Sequence, residues 1–325
     1  MGHRMHLAVS LNIATTDGRD VLDFGQISAF VRKAEGAGVD MVIISDSADV
    51  PSTSPFEATT LLAALATVTN RIGLVASAST LAHQPYNLAR RFASLDIISH
   101  GRIGWNATLE QNPREAANFS RPEGFSDHDF RRRGEEYIGI VQGLWQGWDV
   151  DALLFDKAGG RFHDPDKMHF LDHKGEFFVV RGPLNVACSP QDTPVLVMSG
   201  LSETDRDFAG RVADVILIEE QSAEAANAAT ADLRRRALAA GRQPEVVKVL
   251  LTIAIESEPP IDRLRILPGS SGCDGFNLVL PAGVTALQSF TDRVLPELQR
   301  HGLAGRGQQG ATLRAHLALG TGGAK

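Results

Sequence analysis

Short apolar runs alternate with stretches of helical periodicity along almost the whole chain. Several runs are unbroken rather than alternating, a pattern typical of strands that are buried on both faces of a parallel sheet. The eight predicted strands are Leu7–Ile13, Met41–Ser45, Ile72–Ala78, Ile103–Ala107, Val195–Met198, Val215–Ile218, Val247–Ile255 and Phe276–Leu280. Helical periodicity covers about residues 26–37, 56–68, 86–98, 129–145, 203–212, 223–240 and 284–299. This order predicts an α/β fold, the TIM (β/α)8 barrel, as a single domain over residues 1–325, with an open doubly wound sheet as the alternative.

A long insertion interrupts the pattern after the fourth predicted strand. Between residues 109 and 193 only one long helix is obvious, and the remainder is rich in Asp, Gly, Pro and His. A β-hairpin is predicted within it, with strands at His169–Phe170 and Glu176–Val180 around a turn at residues 172–175. Because loops after barrel strands lie over the barrel mouth, we expect this insertion to act as a lid or a dimer contact.

The segment between the seventh and eighth strands has the opposite character. Residues 256–275 contain three prolines and the sequence GSSG, so at most one helical turn is expected there, near residues 262–266. We therefore predict a shortened connection in place of a full helix. The tail at residues 302–325 begins with a Gly-rich stretch, and a short helix is predicted near residues 312–319.

Composition and charge exclude several classes of protein. The chain is 43% apolar and 22% charged, as in ordinary globular proteins, and its formal net charge of −7 argues against binding to nucleic acid or to an anionic membrane surface. No apolar run approaches the ~20 residues that span a bilayer, and no signal-like segment precedes the first strand, so we expect a cytoplasmic protein. Neither the histidines nor Cys188 and Cys273 have metal-ligand spacing, so no metal site is expected.

Polar residues follow the predicted strands at the end where a parallel barrel keeps its active site. The residues at these strand ends, most of them polar, are Ser45 to Ser47, Ser79–Thr80, Trp105–Asn106, Ser199–Gly200, Glu219 to Gln221, Glu256 and Pro281. As a set they predict a pocket for a polar, planar ligand, although any one of them is also explained by the exposure of strand ends to solvent. Among the histidines, His128 is the best candidate for acid–base catalysis, because it lies between two aspartates at a helix start. Asp127 beside it is equally explained as a helix cap.

The sequence ARRFASLDIISHGRIGWN at residues 89–106 resembles the bacterial-luciferase-like flavin monooxygenases, in particular the nitrilotriacetate and dibenzothiophene-sulfone monooxygenase group. The resemblance continues in HDFRRRGEEYIGIVQGLWQGWDVDAL, SPQDTPVLVMSGLSETDRDFAGRVAD and CDGFNLVLPAGV, and so covers most of the chain. It implies a TIM barrel that binds reduced FMN from a separate flavin reductase and uses O2 to oxygenate a small organic substrate. It also implies a homodimer, or a heterodimer with a paralogue.

The same resemblance implies which residues bind the flavin. Asp46 and Asn106 would contact the flavin or its ribityl chain, and Ser79 and Thr80 would line the same pocket. Four further residues, Arg132, Ser199, Gly200 and Ser202, would also bind the cofactor. Of these, Arg132 and the turn that begins at Gly200 lie where the family holds the FMN phosphate.

This chain departs from the family pattern around that phosphate. Glu110 replaces a serine, Arg132 replaces a tyrosine, and Asp205 ends a turn, GLSETD, where the family has Gly-Ser-Ser-x-x-Gly. A carboxylate ~4 Å from a phosphate costs about 1–4 kcal/mol per charge pair, depending on exposure. Two functions therefore stand at this point. The first is a flavin-dependent monooxygenase. The second is a degenerate barrel without FMN, serving as a partner or binding subunit or performing flavin-independent chemistry.

Overall fold

The computed structural model describes residues 5–14, 21–46, 53–109, 112–119, 124–255, 272–281, 283–304 and 310–320. Within these residues eight parallel strands close into a barrel, in the order β1-β12-β11-β10-β9-β4-β3-β2. The barrel strands are β1 (His6–Asn12), β2 (Met41–Ser45), β3 (Gly73–Ser77), β4 (Ile103–Ala107), β9 (Val195–Met198), β10 (Val215–Ile218), β11 (Lys248–Ala254) and β12 (Gly275–Leu280). They are the eight strands predicted from the sequence, so the TIM-barrel prediction is confirmed and the open-sheet alternative is wrong.

Helices surround this barrel. They are α1 (Phe24–Gly36), α2 (Ala58–Val68), α3 (Pro85–Ser99), α4 (Pro113–Asn118), α5 (Asp127–Trp145), α6 (Arg206–Val212), α7 (Ala223–Ala239), α8 (Val284–Ser289), α9 (Leu295–Arg300) and α10 (Leu313–His316). A π-helical stretch, Phe290–Val294, joins α8 to α9, and 3-10 turns lie at Pro165–Lys167, Glu203–Asp205 and Pro244–Val246. Local caps set several helix starts: Asp23 caps α1 in a capping box with Gln26, and Ser126 caps α5.

The strand Ile103–Ala107 sends successive side chains to opposite sides of the barrel wall. Trp105 is fully buried between the barrel and its helices, with its ring centroid 6.1 Å from that of Phe92 and 6.2 Å from that of Tyr137, and its indole Nε1 donates to the Ala78 carbonyl. The next residue, Asn106, faces the barrel interior. Trp105 is therefore part of the core and not of the pocket suggested by its position at a strand end.

The insertion after β4 holds α4, α5 and two antiparallel hairpins. The first hairpin pairs β5 (Leu153–Asp156) with β6 (Arg161–His163), and the second pairs β7 (His173–Lys174) with β8 (Val179–Val180). The hairpin predicted over residues 169–180 is thus present, but the predicted turn was wrong, because His173 and Lys174 lie in a strand. The backbone N–H of Gly175 donates to the Phe178 carbonyl and closes a turn at residues 175–178.

Some sequence predictions fall outside the described residues. Glu110 and residues 256–271, where a shortened connection was predicted, are among them. So are the tail residues 305–309 and 321–325. No helix among the described residues is long and apolar enough to cross a membrane.

The helix α10 closes the end of the barrel opposite the strand carboxyl ends. Leu313 and Leu317 are fully buried in a cluster with Ala8 and Met41 of the first two strands. The guanidinium of Arg314 donates to the carboxylate of Asp214, at 3.0 and 2.8 Å. The helix α10 therefore keeps solvent out of the barrel at the amino ends of the strands, and the carboxyl ends form the open face.

Candidate functional site

A cavity of about 550 Å³ opens at the carboxyl ends of the barrel strands. Six residues that the sequence placed at strand ends line it: Ser45, Asp46, Ser79, Asn106, Ser199 and Glu219. Apolar side chains from the barrel, including Leu11, Ile43 and Val279, complete the wall. The predicted pocket therefore exists, and most of the residues that line it are polar, as expected for a site that binds a polar ligand.

One side of the cavity carries a hydrogen-bonded chain across three neighbouring strands. The Asn106 side-chain amide donates to Ser77 Oγ at 2.9 Å, and Ser199 Oγ donates to Asn106 Oδ1 at 3.1 Å. The parallel register makes this possible, because Ser77 and Asn106 are direct Cα partners in adjacent strands. These two hydrogen bonds hold the Asn106 carboxamide in one orientation. Asn106 is only 7% exposed, so water competes little with them.

A second chain of the same kind lies on the other side of the barrel, and the sequence analysis missed it. Ser10 Oγ donates to Asn277 Oδ1 at 2.8 Å, and Asn277 Nδ2 donates to Thr252 Oγ1 at 3.4 Å. All three residues line the cavity. Each is a polar residue among mostly apolar strand residues, and that exception to the pattern was the signal available in the sequence. Two carboxamides thus face the cavity from opposite sides, each fixed by two hydroxyl groups.

Charged groups form the cavity wall near α2 and α3. The carboxylate of Asp46 accepts the Ala58 backbone N–H at 2.8 Å, and burial raises the pKa of Asp46 above 3.8. Burial alone would raise the pKa of Glu57, but hydrogen bonds from Thr60 and Thr59 lower it, and Arg91 lies 3.8 Å from its carboxylate. The wall therefore holds one carboxylate that resists ionisation and one that is stabilised as an anion.

His83, at the start of α3, is the histidine that the structure places in this wall. Burial lowers the pKa of His83 below 6.5, and the positive charge of Arg91 lowers it further against the opposing effect of Glu57. The imidazole is therefore neutral at neutral pH. A neutral imidazole in a cavity can accept a proton or a hydrogen bond from a ligand.

The catalytic candidate His128 is not among the residues that line this cavity. Its side chain is 75% exposed and its Nδ1 lies 3.5 Å from the Asp129 carboxylate. Thr80, a predicted flavin contact, is only 1% exposed and does not line the cavity either, and its hydroxyl has no hydrogen-bond partner among the described residues. His83, and not His128, is therefore the histidine that lines the cavity.

The turn after β9 holds the remaining predicted residues. Gly200 has φ of 64° and lines a smaller cavity of about 140 Å³ that shares Leu217 and Glu219 with the main one. The Ser202 backbone N–H donates to Asp205 Oδ2 at 2.9 Å, and the Ser202 hydroxyl donates to the same oxygen. Arg131 Nε donates to the other oxygen of Asp205.

Arg132 points elsewhere and forms an ion pair with Glu176. Its side chain is 48% exposed. The structure therefore brings Asp46, Ser79, Asn106 and Ser199 together in one cavity, and Gly200 into the adjoining one. Ser202 belongs to the adjacent turn, and Arg132 lies outside both cavities.

Comparison with known proteins identifies a match over most of the chain. The profile of the luciferase-like monooxygenases matches residues 5–259. N-acetyl-S-(2-succino)cysteine monooxygenase from Bacillus subtilis (strain 168) is 30% identical over 406 aligned positions, which cover 94% of this chain and 92% of the relative. Nitrilotriacetate monooxygenase component A from Aminobacter aminovorans is 32% identical, with 94% of this chain and 88% of the relative covered.

A solved structure shows the same architecture. EDTA monooxygenase from Chelativorans sp. BNC1 superposes with a TM-score of 0.84 at 25% identity, covering 98% of this chain and 100% of the other. The alignment with the Bacillus protein is longer than the 325 residues of this chain, so that relative carries segments that have no counterpart here.

Proposed function

The chain belongs to the luciferase-like monooxygenase family, and on that premise we propose that its cavity binds a reduced flavin beside a small organic substrate. FMN is the form of flavin that the family resemblance implies. Dioxygen is the co-substrate, one oxygen atom enters the organic substrate and the other leaves as water. The degenerate-barrel alternative has no support in the comparisons, since the relatives named above are all monooxygenases.

The hydrogen bonds that link Ser77, Asn106 and Ser199 are the observation that supports this proposal most strongly. A flavin ring presents alternating donors and acceptors along its polar edge, and a carboxamide matches such an edge because it offers both N–H and C=O. The two hydroxyl groups already fix the orientation of Asn106, so little side-chain entropy is lost when a ring binds. Asp46 and Ser79 in the same wall offer further polar contacts to a ring or a polyol chain.

The residues fit the ring and polyol parts of FMN but not its phosphate. Near the turn after β9, the donors of Ser202 and Arg131 already bind the carboxylate of Asp205. Arg132, the other predicted phosphate contact, is paired with Glu176. A phosphate at this turn would meet a buried carboxylate where it needs a donor.

When bound, the reduced flavin supplies the electrons that activate dioxygen. The protein's part is to orient the ring through Asn106 and to keep bulk water from the reacting groups with apolar residues such as Leu11, Ile43 and Val279. His83 is placed to accept a proton released within the cavity, because its imidazole is neutral. The Asn277 carboxamide, on the opposite side, is placed to hydrogen-bond the organic substrate.

A partner protein follows from the same proposal. The relative from Aminobacter aminovorans is named as one component of its enzyme, which supports a separate protein that delivers the reduced flavin. We expect a flavin reductase in that role. A homodimer, or a heterodimer with a paralogue, stays a prediction from the resemblance.

The flavin position can be tested with two matched asparagine variants. We expect Asn106→Ala to weaken flavin binding by about tenfold or more, because it removes the ring contact and takes away the hydrogen-bond partner of the Ser77 and Ser199 hydroxyl groups. Asn277→Ala removes an equivalent carboxamide on the opposite side and should change the flavin Kd by less than about threefold. Quenching of flavin fluorescence measures both dissociation constants, and urea unfolding shows whether each variant is folded.

Two outcomes would count against the proposal. A wild-type protein that binds no flavin at micromolar concentrations would favour the degenerate-barrel alternative. A stronger effect of Asn277→Ala than of Asn106→Ala would place the ring on the other side of the cavity.

A further inference from the structure

Asp205 occupies an arrangement of donors that suits an anion. Its side chain is buried in the turn after β9, and both carboxylate oxygens accept hydrogen bonds. One oxygen takes the backbone N–H and the hydroxyl of Ser202, and the other takes Nε of Arg131. A backbone N–H, a hydroxyl and a guanidinium are the groups that hold phosphate in proteins. The protein therefore supplies its own anion at this turn.

The turn adjoins the main cavity. Ser199 lines that cavity, and Ser202 lies three residues further along the same loop. The smaller cavity beside Gly200 shares two lining residues with the main one, so it is the natural exit for the tail of a ligand whose ring lies against Ser199 and Asn106.

Among the described residues that line the smaller cavity, positive charge does not exceed negative charge. Arg206 is the one cationic residue among these described residues, and it lies 3.1 Å from Glu203 and 3.8 Å from Glu220. Glu219 and Glu220 line the same cavity. A charged phosphate entering here would face carboxylates, whereas an uncharged polyol could hydrogen-bond to them.

We propose that this site selects the dephosphorylated form of the flavin: Asp205 takes the place of the phosphate, and riboflavin binds at least as tightly as FMN. The inference rests on the proposed flavin-dependent function. It differs from that function in naming the charge of the flavin tail that the site accepts.

The test is a pair of titrations on the full-length protein, with riboflavin and with FMN, followed by quenching of flavin fluorescence. For the wild-type protein we expect the Kd for FMN to equal or exceed that for riboflavin. Asp205→Asn removes the negative charge and releases Arg131, because the amide N–H that faces its guanidinium cannot accept a hydrogen bond. The amide oxygen can still accept from Ser202, with which Asp205 forms a capping box, so the local fold is kept. We expect this variant to bind FMN about tenfold more tightly and riboflavin with a Kd within about threefold of the wild-type value.

Asp207→Asn is the matched control. Asp207 lies two residues away and is 65% exposed, and it pairs with Arg236 rather than with the turn. It should leave both dissociation constants within about threefold. If the wild-type protein binds FMN more tightly than riboflavin by about threefold or more, the inference fails while the flavin-dependent function stands. If neither flavin binds, that function fails, and the inference with it. The wild-type comparison decides the matter even where Asp205→Asn does not fold.

Discussion

The two candidate histidines differ in their surroundings, and this difference sets their chemistry. His83 and His128 are both histidines at the start of a helix, yet one is enclosed beside Arg91 and the other is exposed to solvent. Burial and the nearby guanidinium both disfavour the charged imidazole of His83. The imidazole of His83 is therefore unprotonated at neutral pH and can accept a proton.

We expect His83→Gln to lower substrate-dependent oxygen consumption by about tenfold or more, because the variant cannot accept a proton. Burial lowers the pKa of His83 below 6.5, so the neutral, active form prevails above that pH and is lost as the pH falls through the lowered pKa. The wild-type rate should fall on the acid side, and the variant should lack that limb. The measurement is kcat/KM against pH.

The corresponding variant His128→Gln separates the two histidines. The structure leads us to expect little change in its pH profile, since the ring is 75% exposed and lies outside the cavity lining. If kcat/KM no longer fell at acid pH in His128→Gln but still did so in His83→Gln, His128 would be the catalytic base, as the sequence alone predicts.

Sequence reasoning found the polar strand ends because a barrel gathers them by topology, whatever the details of packing. It preferred His128 to His83 because of the aspartates beside His128, since the sequence does not show how deeply each histidine is buried. It placed Asp205 near the anion site by resemblance. It could not show that Arg131 binds this carboxylate, since that contact joins residues 74 positions apart.

At the scale of elements, the barrel strands are specified far more strongly than the pieces around them. Strands such as Val195–Met198 and Val215–Ile218 are fully apolar and buried on both faces, so the sequence marks their bounds directly. The hairpin of β5 and β6 and the helix α4 were missed. Each has six residues or fewer, and the strand residues are mostly exposed, so burial imposes no periodic pattern on them.

The helix α10 shows how a four-residue element can matter to the whole barrel. Its N-cap Thr312 starts the turn, and Leu313 is fully buried against the lower barrel. Gly73 leaves the room for this side chain, because a Cβ built at Gly73 would lie 2.4 Å from a methyl group of Leu313. The short helix is therefore held by packing rather than by its own helical propensity.

We expect Leu313→Ala to lower the free energy of unfolding by about 2–5 kcal/mol, because it opens a cavity in a region without solvent. The matched control is Leu238→Ala on α7. Leu238 is 60% exposed, so its replacement should change the free energy of unfolding by less than about 0.5 kcal/mol. Urea unfolding measures both. Flavin affinity of the folded Leu313→Ala protein should be unchanged, since α10 lies at the opposite end of the barrel, and a cost below about 0.5 kcal/mol would show that α10 is not part of the core.

The charge of the whole molecule and the charge of its cavity have the same sign. The chain has a formal net charge of −7, and the cavity is lined by Asp46, Glu57 and Glu219, with no lysine or arginine among the described residues that line it. Burial raises the pKa of Asp46, which reduces its share of the negative charge. Such a field attracts cations and repels anions as they approach. Nitrilotriacetate and EDTA, named in two of the relatives, are polycarboxylates, and a field of this sign would repel such anions.

We expect the cavity to prefer neutral or cationic substrates. Three thioethers of equal length that end in a trimethylammonium, a tert-butyl or a carboxylate group would test this by competition for binding to the flavin-loaded protein. The carboxylate should bind at least about fivefold more weakly than the neutral probe, which corresponds to about 1 kcal/mol of repulsion. Glu219→Gln should reduce that difference, whereas Glu224→Gln, an exposed change on α7 outside the cavity lining, should not. If the carboxylate probe binds most tightly, positive charge from residues beyond the described lining governs the choice of substrate, and the expectation is wrong.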